Sequence, residues 1–149
     1  MAFADFERRW IVAILSGFTA PEGALPVADD EVDYVHAAEV MAAGSRFKAR
    51  VGLRVAVWVF ALAPAWALGR PQTLDEVPAA TRSALLARLL EHRVYGVRGL
   101  ATLLKLVASL AMMRAPAIRA RSGYDRAAEA QTRASRHALP IVGAQGVGA

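Results

Sequence analysis

The sequence predicts an all-α protein, a single-domain irregular bundle of five or six helices with a flexible C-terminal tail. Apolar residues recur at the three-and-four spacing of amphipathic helices, and no segment alternates as a strand does. At 149 residues the chain has the usual length of one domain. We expect residues 1–125 to form the helical domain and residues 126–149 to form a helical extension and a flexible or partner-wrapping tail.

Residues 77–125 are predicted to form two successive helices packed as a hairpin. The expected core positions are Leu85, Leu86, Leu89, Leu90, Leu100, Leu103, Leu104, Val107, Leu110 and Ala111. The second helix carries one narrow polar stripe of Arg98, Thr102, Lys105 and Ser109. Because so little of this helix is polar, we expect it to be mostly enclosed by its own domain or by a partner chain.

The opening helix is predicted over residues 3–18, ended by Gly17. One side of it carries Phe3, Phe6, Trp10, Ile14 and Leu15. A second interpretation is a twin-arginine export signal, because Arg8 and Arg9 precede an apolar run. No small-x-small cleavage site follows that run, so we favour a structural helix and a cytoplasmic protein, with export to the periplasm or cell surface as the alternative.

A loop is expected over residues 19–27, followed by a second helix that ends at Gly44. Three acids, Asp29, Asp30 and Glu31, are expected in the first turn of that helix, where carboxylates favour the helix dipole. Metal-ligating residue types also occur here, at Glu31, Asp33, His36 and Glu39. Because the Asp-x-x-His spacing does not recur on another helix, we interpret these residues as a solvated acidic face and predict no metal site.

The third predicted helix begins after a Ser45 cap and carries a basic stripe of Arg46, Arg50 and Arg54. Residues 55–69 then contain no ionisable side chain. This stretch is shorter than the roughly 20 residues that span a bilayer. We favour a central helix packed on all sides, bent or ended by Pro64. The alternative is an apolar docking surface for a partner or a membrane interface, with Trp58 and Trp66 as anchors.

The segments around the hairpin carry clear boundary signals. Residues 70–77 are a predicted linker in which Thr73 caps a short turn at residues 74–76. Pro78 suits the first position of the next helix, which runs to about Arg93 with Arg82 and Arg88 outward. Pro116 is predicted to open a last short turn.

Composition and motifs exclude several classes of function. The chain has no cysteine, so disulfides, thiolate metal sites and a cysteine nucleophile are excluded. Its net charge of +5 is unevenly spread, since residues 1–44 hold eight acids and two bases. The arginines stand singly among apolar residues, which does not favour nucleic-acid binding. No phosphate-binding loop, dinucleotide fingerprint or nucleophile elbow occurs, so we expect no catalytic, cofactor-binding or metal-binding residue.

Residues 85–125, LLARLLEHRVYGVRGLATLLKLVASLAMMRAPAIRARSGYD, resemble a known family as a whole. They are similar to the C-terminal half of the small helical subunits of FAD-dependent glucose–methanol–choline oxidoreductases, including the third subunit of gluconate 2-dehydrogenase. The resemblance rests on Tyr95, Arg98, Lys105 and a terminal Gly123-Tyr124-Asp125. Together with residues 10–26, which look like the family's opening segment, it covers roughly residues 3–125.

The resemblance implies a non-catalytic subunit that binds and stabilises a large FAD-bearing subunit, with no cofactor of its own. With the two tryptophan anchors already named, the expected partner-interface residues are Trp58, Trp66, Tyr95, Arg98, Met112, Met113, Arg119 and Tyr124. Met112 and Met113 replace the paired aromatics often found after the long helix. The expected assembly is a hetero-oligomer without nucleic acid, and a peripheral membrane-associated or self-associating helical protein remains the alternative.

Overall fold

The computed structural model describes residues 3–19, 27, 31–123, 126 and 131, and the protein is all-α as predicted. No strand occurs in these residues. The described part of the chain contains seven helices, which are α1 Asp5–Ser16, α2 Tyr34–Gly44, α3 Phe47–Ala61, α4 Ala63–Leu68, α5 Ala79–Leu90, α6 Tyr95–Arg114 and α7 Pro116–Ser122. A 3-10 turn, Leu74–Glu76, lies between α4 and α5.

Two prolines raise the number of helices above the five or six expected. Pro64 separates α3 from the short helix α4, since proline lacks the amide hydrogen that would continue the earlier helix. Helix α4 then ends at Gly69, whose φ of +67° suits a residue without a Cβ. Pro116 starts α7 in the same way. Of the two outcomes predicted at Pro64, a bend or the end of the helix, the structure shows the end.

The core lies where α1 and α6 meet the other helices. Helix α1 packs against α2, α3, α6 and the 3-10 turn, and α5 pairs with α6 as the predicted hairpin. The largest fully buried apolar side chains come from most of these elements: Tyr34, Phe60, Ile11, Ile14, Leu15, Leu74, Leu86, Leu89, Leu104, Ile118 and Val57. Each such burial contributes roughly 1.5–3 kcal/mol before entropy is counted. The opening helix is thus a central part of the core.

Several predicted helix boundaries are wrong because local side chains cap the chain differently. Helix α2 begins at Tyr34, and the Asp33 carboxylate accepts a hydrogen bond from the His36 amide, so Glu31 precedes the helix. Asp29 and Asp30 lie outside the described residues. Ser45 does not cap α3: its hydroxyl donates to the Met41 carbonyl at the end of α2.

Of the other predicted boundaries, those at Thr73 and Pro78 lie within the described residues. The Glu76 carboxylate accepts from the Thr73 amide, which confirms the turn predicted there. Pro78 precedes α5 by one residue. The predicted loop at residues 19–27 lies outside the described residues except at its two ends, as does the predicted tail beyond residue 131.

The extent of burial on three helices differs from the prediction. Helix α3 is not packed on all sides, since Val55 and Trp58 are exposed. On α6 Leu110 is exposed, although it was expected in the core. Arg82 does not point outward on α5: it is half-buried and donates to the Val77 carbonyl. The spacing of apolar residues predicted the helices but not how far neighbouring helices cover them.

Gly17 is needed for the close approach of α1 to α5. A Cβ at this position would lie 2.6 Å from Leu86 Cδ1 and 3.1 Å from the Ala13 carbonyl oxygen. Gly17→Ala should lower the free energy of unfolding by about 1–3 kcal/mol, because Leu86 is fully buried and cannot move away freely. Urea unfolding monitored by circular dichroism measures this change.

The matched control is Gly52→Ala in the interior of α3, where an added Cβ meets nothing within 4 Å. Alanine favours helix over glycine by roughly 0.5–1 kcal/mol, so this variant should be more stable. Equal effects of the two substitutions would contradict the close contact at Gly17.

Candidate functional site

An apolar stripe on α3 and α4 is the main candidate for a binding surface. We define it by six exposed side chains, Phe47, Val51, Val55, Trp58, Leu62 and Trp66. From Phe47 to Leu62, spacings of four and three residues place neighbours side by side along one face of α3, and Trp66 follows on α4. Val55 is 48% exposed, Trp58 41% and Trp66 45%, and none of the six is ionisable. These side chains therefore form an exposed row without an ionisable member, and its use as a docking surface stays a prediction.

Trp66 is bound to α3 across the break at Pro64. Its indole Nε1 donates to the Val59 carbonyl at 3.1 Å, which holds the α4 side chain against α3. An exposed tryptophan fixed in this way loses little side-chain entropy when a partner covers it. The short helix α4 thus adds an exposed, fixed tryptophan beyond the end of α3.

An aromatic cluster extends the stripe onto α1. The ring of Trp58 meets Phe6 at 5.8 Å and Trp10 at 5.2 Å between centroids, and all three rings pack edge to face. Phe6 is exposed and Trp10 half-buried, so both lie at the margin of the predicted apolar side of α1. Such aromatic pairs add about 0.5–1.5 kcal/mol beyond their buried area. The cluster fixes Trp58 between two helices.

The buried carboxylate of Glu7 also holds Trp58 in place. Glu7 is 0% exposed, and Arg54 pairs with it through two hydrogen bonds, Nε to Oε1 at 2.6 Å and Nη2 to Oε2 at 2.7 Å. Trp58 Nε1 donates to Oε1 at 2.8 Å, and the Ala4 amide donates to Oε2 at 2.8 Å. All four bonds satisfy a charge that would otherwise be costly to bury. Arg54 therefore turns inward and does not continue the predicted basic stripe.

The surroundings of Glu7 favour its ionised form. Burial alone would raise the pKa of the carboxyl. The hydrogen bonds from Arg54, Ala4 and Trp58, with the charge of Arg54, outweigh burial and lower the pKa below its ordinary value. Glu7 therefore stabilises the fold as an anion.

Stability should fall on acidification partly because of Glu7. Since its folded pKa is lowered, its contribution is complete above the ordinary pKa of a glutamate and is lost as the pH falls through the folded value. Urea unfolding between about pH 7 and about pH 3 should show this loss in the natural chain. The Glu7→Gln variant should be less stable than the natural chain at neutral pH. Its free energy of unfolding should also decrease less as the pH falls. Parallel pH profiles for the two proteins would contradict the assignment.

Four of the interface residues predicted from the sequence lie on α6. Tyr95 is 79% exposed, and the Arg98 guanidinium lies 5.6 Å from the centre of its ring, a cation–π contact within one turn. Met113 is exposed, whereas Met112 is half-buried against the core. In the described residues no aromatic contact joins this group to Trp58 or Trp66. Arg119 is half-buried on α7, and Tyr124 lies outside the described residues.

Helix α6 is not mostly enclosed by its own domain, so of the two predicted ways of covering it, enclosure by a partner chain stays a prediction. By length and composition alone, this helix could cross a membrane. Only 28% of its most apolar 18-residue stretch is buried. The polar stripe predicted on it is confirmed as exposed. Beside that stripe lies a second exposed apolar face, Leu106, Leu110 and Met113. The helix therefore has surface left for another molecule to cover.

Acidic residues on α2 and in the segment just before it form ion pairs with arginines. Arg8 donates to Glu39 at 3.0 Å, and Arg121 donates to Glu31 at 2.6 Å. No group of three metal-ligating side chains occurs in the described residues. The acids predicted to be a solvated face thus largely pair with arginines from other helices.

Several residues of the surface escaped sequence analysis. Phe47, Val51 and Leu62 were not singled out, although their spacing from Trp58 is visible in the sequence. Glu7 follows Phe3 by four residues and precedes Ile11 by four, which places it on the buried face of α1. A charge at such a position signals a buried partner, but its identity depends on tertiary packing.

Comparisons with protein-family models, with curated proteins and with solved structures give no match for this chain. The fold and the surface together define an all-α protein that exposes an uncharged aromatic stripe on α3 and α4.

Proposed function

We propose that this protein is a non-catalytic helical subunit that binds and stabilises a larger protein through the apolar stripe. The observation that carries the proposal is the exposure of six uncharged, mostly large side chains in one row. Contiguous exposed apolar patches on soluble domains commonly mark interaction sites. Aromatic residues are enriched among those that dominate binding energy, which makes Trp58 and Trp66 the expected anchors.

The rigidity of Trp58 supports the same proposal. Edge-on rings on either side and a hydrogen bond to a buried carboxylate hold this exposed indole in one position. A surface whose anchors are already ordered loses less conformational entropy on association. An exposed side chain that is already ordered in this way supports the proposed role of the stripe as a contact surface.

The partner that we propose is the large FAD-containing subunit of a glucose–methanol–choline oxidoreductase. This choice rests on the resemblance of residues 85–125 to the small subunits of that family, in which the flavin belongs to the large chain. Tyr95 and Arg98, which carry part of the resemblance, are exposed and available for such a contact.

A tagged pull-down from the native host tests the proposal. The expected eluate contains a larger chain in roughly equal amount and shows the visible absorption bands of an oxidised flavin. A colourless eluate without a large chain would overturn the flavoprotein assignment. A stoichiometric partner without flavin would retain the binding function and replace the identity of the partner.

Cytoplasmic residence belongs to the same proposal. Arg8 and Arg9 lie within α1, and Ile11, Ile14 and Leu15 on that helix are buried. Removal of a signal containing this segment would take those side chains out of the core. Intact-mass analysis of the native protein should find α1 retained, and a chain cleaved after α1 would point to export.

Helix α6 favours a second candidate, a peripheral membrane-associated or self-associating protein. Its length, apolar composition and low burial are the observations behind this alternative. Sedimentation with lipid vesicles in the absence of any partner would favour membrane association, and a concentration-dependent rise in mass would favour self-association.

A further inference from the structure

A cavity of about 450 Å³ lies between α4 and the C-terminal end of α5. This volume falls in the range of about 300–1,000 Å³ that is usual for small-molecule sites. Leu85 and Leu89, both buried, contribute apolar surface to its lining. Trp66 is the one side chain that it shares with the apolar stripe. The cavity is therefore a separate site with an apolar base.

An aromatic wall is already fixed along this cavity. The Trp66 indole is held by its hydrogen bond to Val59, and the His92 ring stands edge-on to it at 6.1 Å and 89°. A flat ring entering the cavity would meet one ordered indole, which is a favourable surface for ring packing.

Polar groups at the cavity favour a negative charge. Arg88 and Arg93 line it, and among the described residues neither is joined to a carboxylate by an ion pair. Among the described residues of the lining, Glu91 is the single acidic one, so these residues together carry one excess positive charge. The His92 Nδ1 accepts a hydrogen bond from the Val94 amide, so the neutral ring carries its proton on Nε2 as a further donor.

We propose that this cavity binds a small aromatic carboxylate. The ring packs on Trp66 and the two leucines, and the carboxylate pairs with Arg88 and Arg93, whose planar guanidinium groups suit it. A single negative charge matches the excess charge of the lining. Every residue of this binding site belongs to this chain, so the chain without its proposed partner can bind the ligand, whereas a partner that covers Trp66 would compete with it.

Nuclear magnetic resonance of the full chain tests the proposal with a matched pair of probes. The probes are 2-naphthoate and the neutral 2-naphthalenemethanol, which share the ring and differ in the charged group. The Trp66 indole N–H signal, assigned with Trp66→Phe, should shift on titration with 2-naphthoate. The neutral probe should bind about tenfold or more weakly, because it cannot form charge-assisted hydrogen bonds.

Amino-acid substitutions distinguish binding of the probe in this cavity from general binding to apolar surface. Arg88→Gln and Arg93→Gln should each lower the affinity for 2-naphthoate by about tenfold and leave the affinity for the neutral probe unchanged. Arg70→Gln is the control, since it removes the same charge from an exposed residue outside the lining. Equal binding of the two probes, no effect of either cavity variant, or no saturation below about 10 mM would overturn the proposal. A larger shift at Trp58 than at Trp66 would also overturn it, because the probe would then bind elsewhere.

Discussion

Arg54→Met is expected to lower the free energy of unfolding by about 3–5 kcal/mol, the usual cost of leaving a buried charge without its partner. Glu7 is fully buried, so without Arg54 its carboxylate keeps only the Trp58 and Ala4 donors. Urea unfolding at neutral pH measures the loss. Glu7→Met should cost less, because the side chain of Arg54 is 32% exposed and can reach water.

The double variant Glu7→Met/Arg54→Met distinguishes pairing from packing. Replacing both members of a buried ion pair with apolar residues is often close to neutral, so the double variant should be more stable than Arg54→Met alone. Arg8→Met breaks the more exposed pair with Glu39 and should cost no more than about 1 kcal/mol. A similar loss in Arg8→Met and Arg54→Met would contradict the importance of burial.

Val55→Glu should abolish partner binding while leaving the fold intact. Val55 lies within the apolar stripe and is nearly half exposed, so stability should change by less than about 0.5 kcal/mol. In a complex the new carboxylate would be buried without a partner, which should weaken association by about 100-fold or more. Pull-down yield from the native host, with thermal unfolding as a check of the fold, measures both effects.

Ala49→Glu is the matched control on the same helix. Ala49 is exposed, and its position two residues after Phe47 places it away from the stripe. This variant should retain the partner. Loss of the partner from both variants would show that charge anywhere on α3 prevents binding, whereas retention by both would remove the stripe as the interface.

Local sequence patterns predicted the helices well because each depends on neighbours in the chain. The opening helix, the hairpin of α5 and α6 and the break at Pro64 all follow from apolar spacing or from proline chemistry. Boundaries were less predictable where two caps compete. Ser45 was expected to start α3, yet its hydroxyl bonds backward to Met41, an option that the sequence alone does not exclude.

The candidate site was less predictable because it depends on which faces stay uncovered. The run of residues 55–69 predicted an apolar helix, and both full burial and a docking surface fitted that run. Packing against α1 and α6 leaves Val55 and Trp58 exposed, so this face of α3 is not fully buried. The pair of Glu7 and Arg54 has no local signature, since 47 residues separate its members.

The same separation affects the chain while it is being synthesised. Glu7 leaves the ribosome 47 residues before Arg54, and Leu104 on α6 follows later still. Until those residues emerge, Ile11 and Ile14 lack helices that cover them in the finished fold. Helix α1 is thus made before the helices that cover it, and until they follow, the nascent chain exposes an amphipathic segment of the kind that chaperones protect from aggregation.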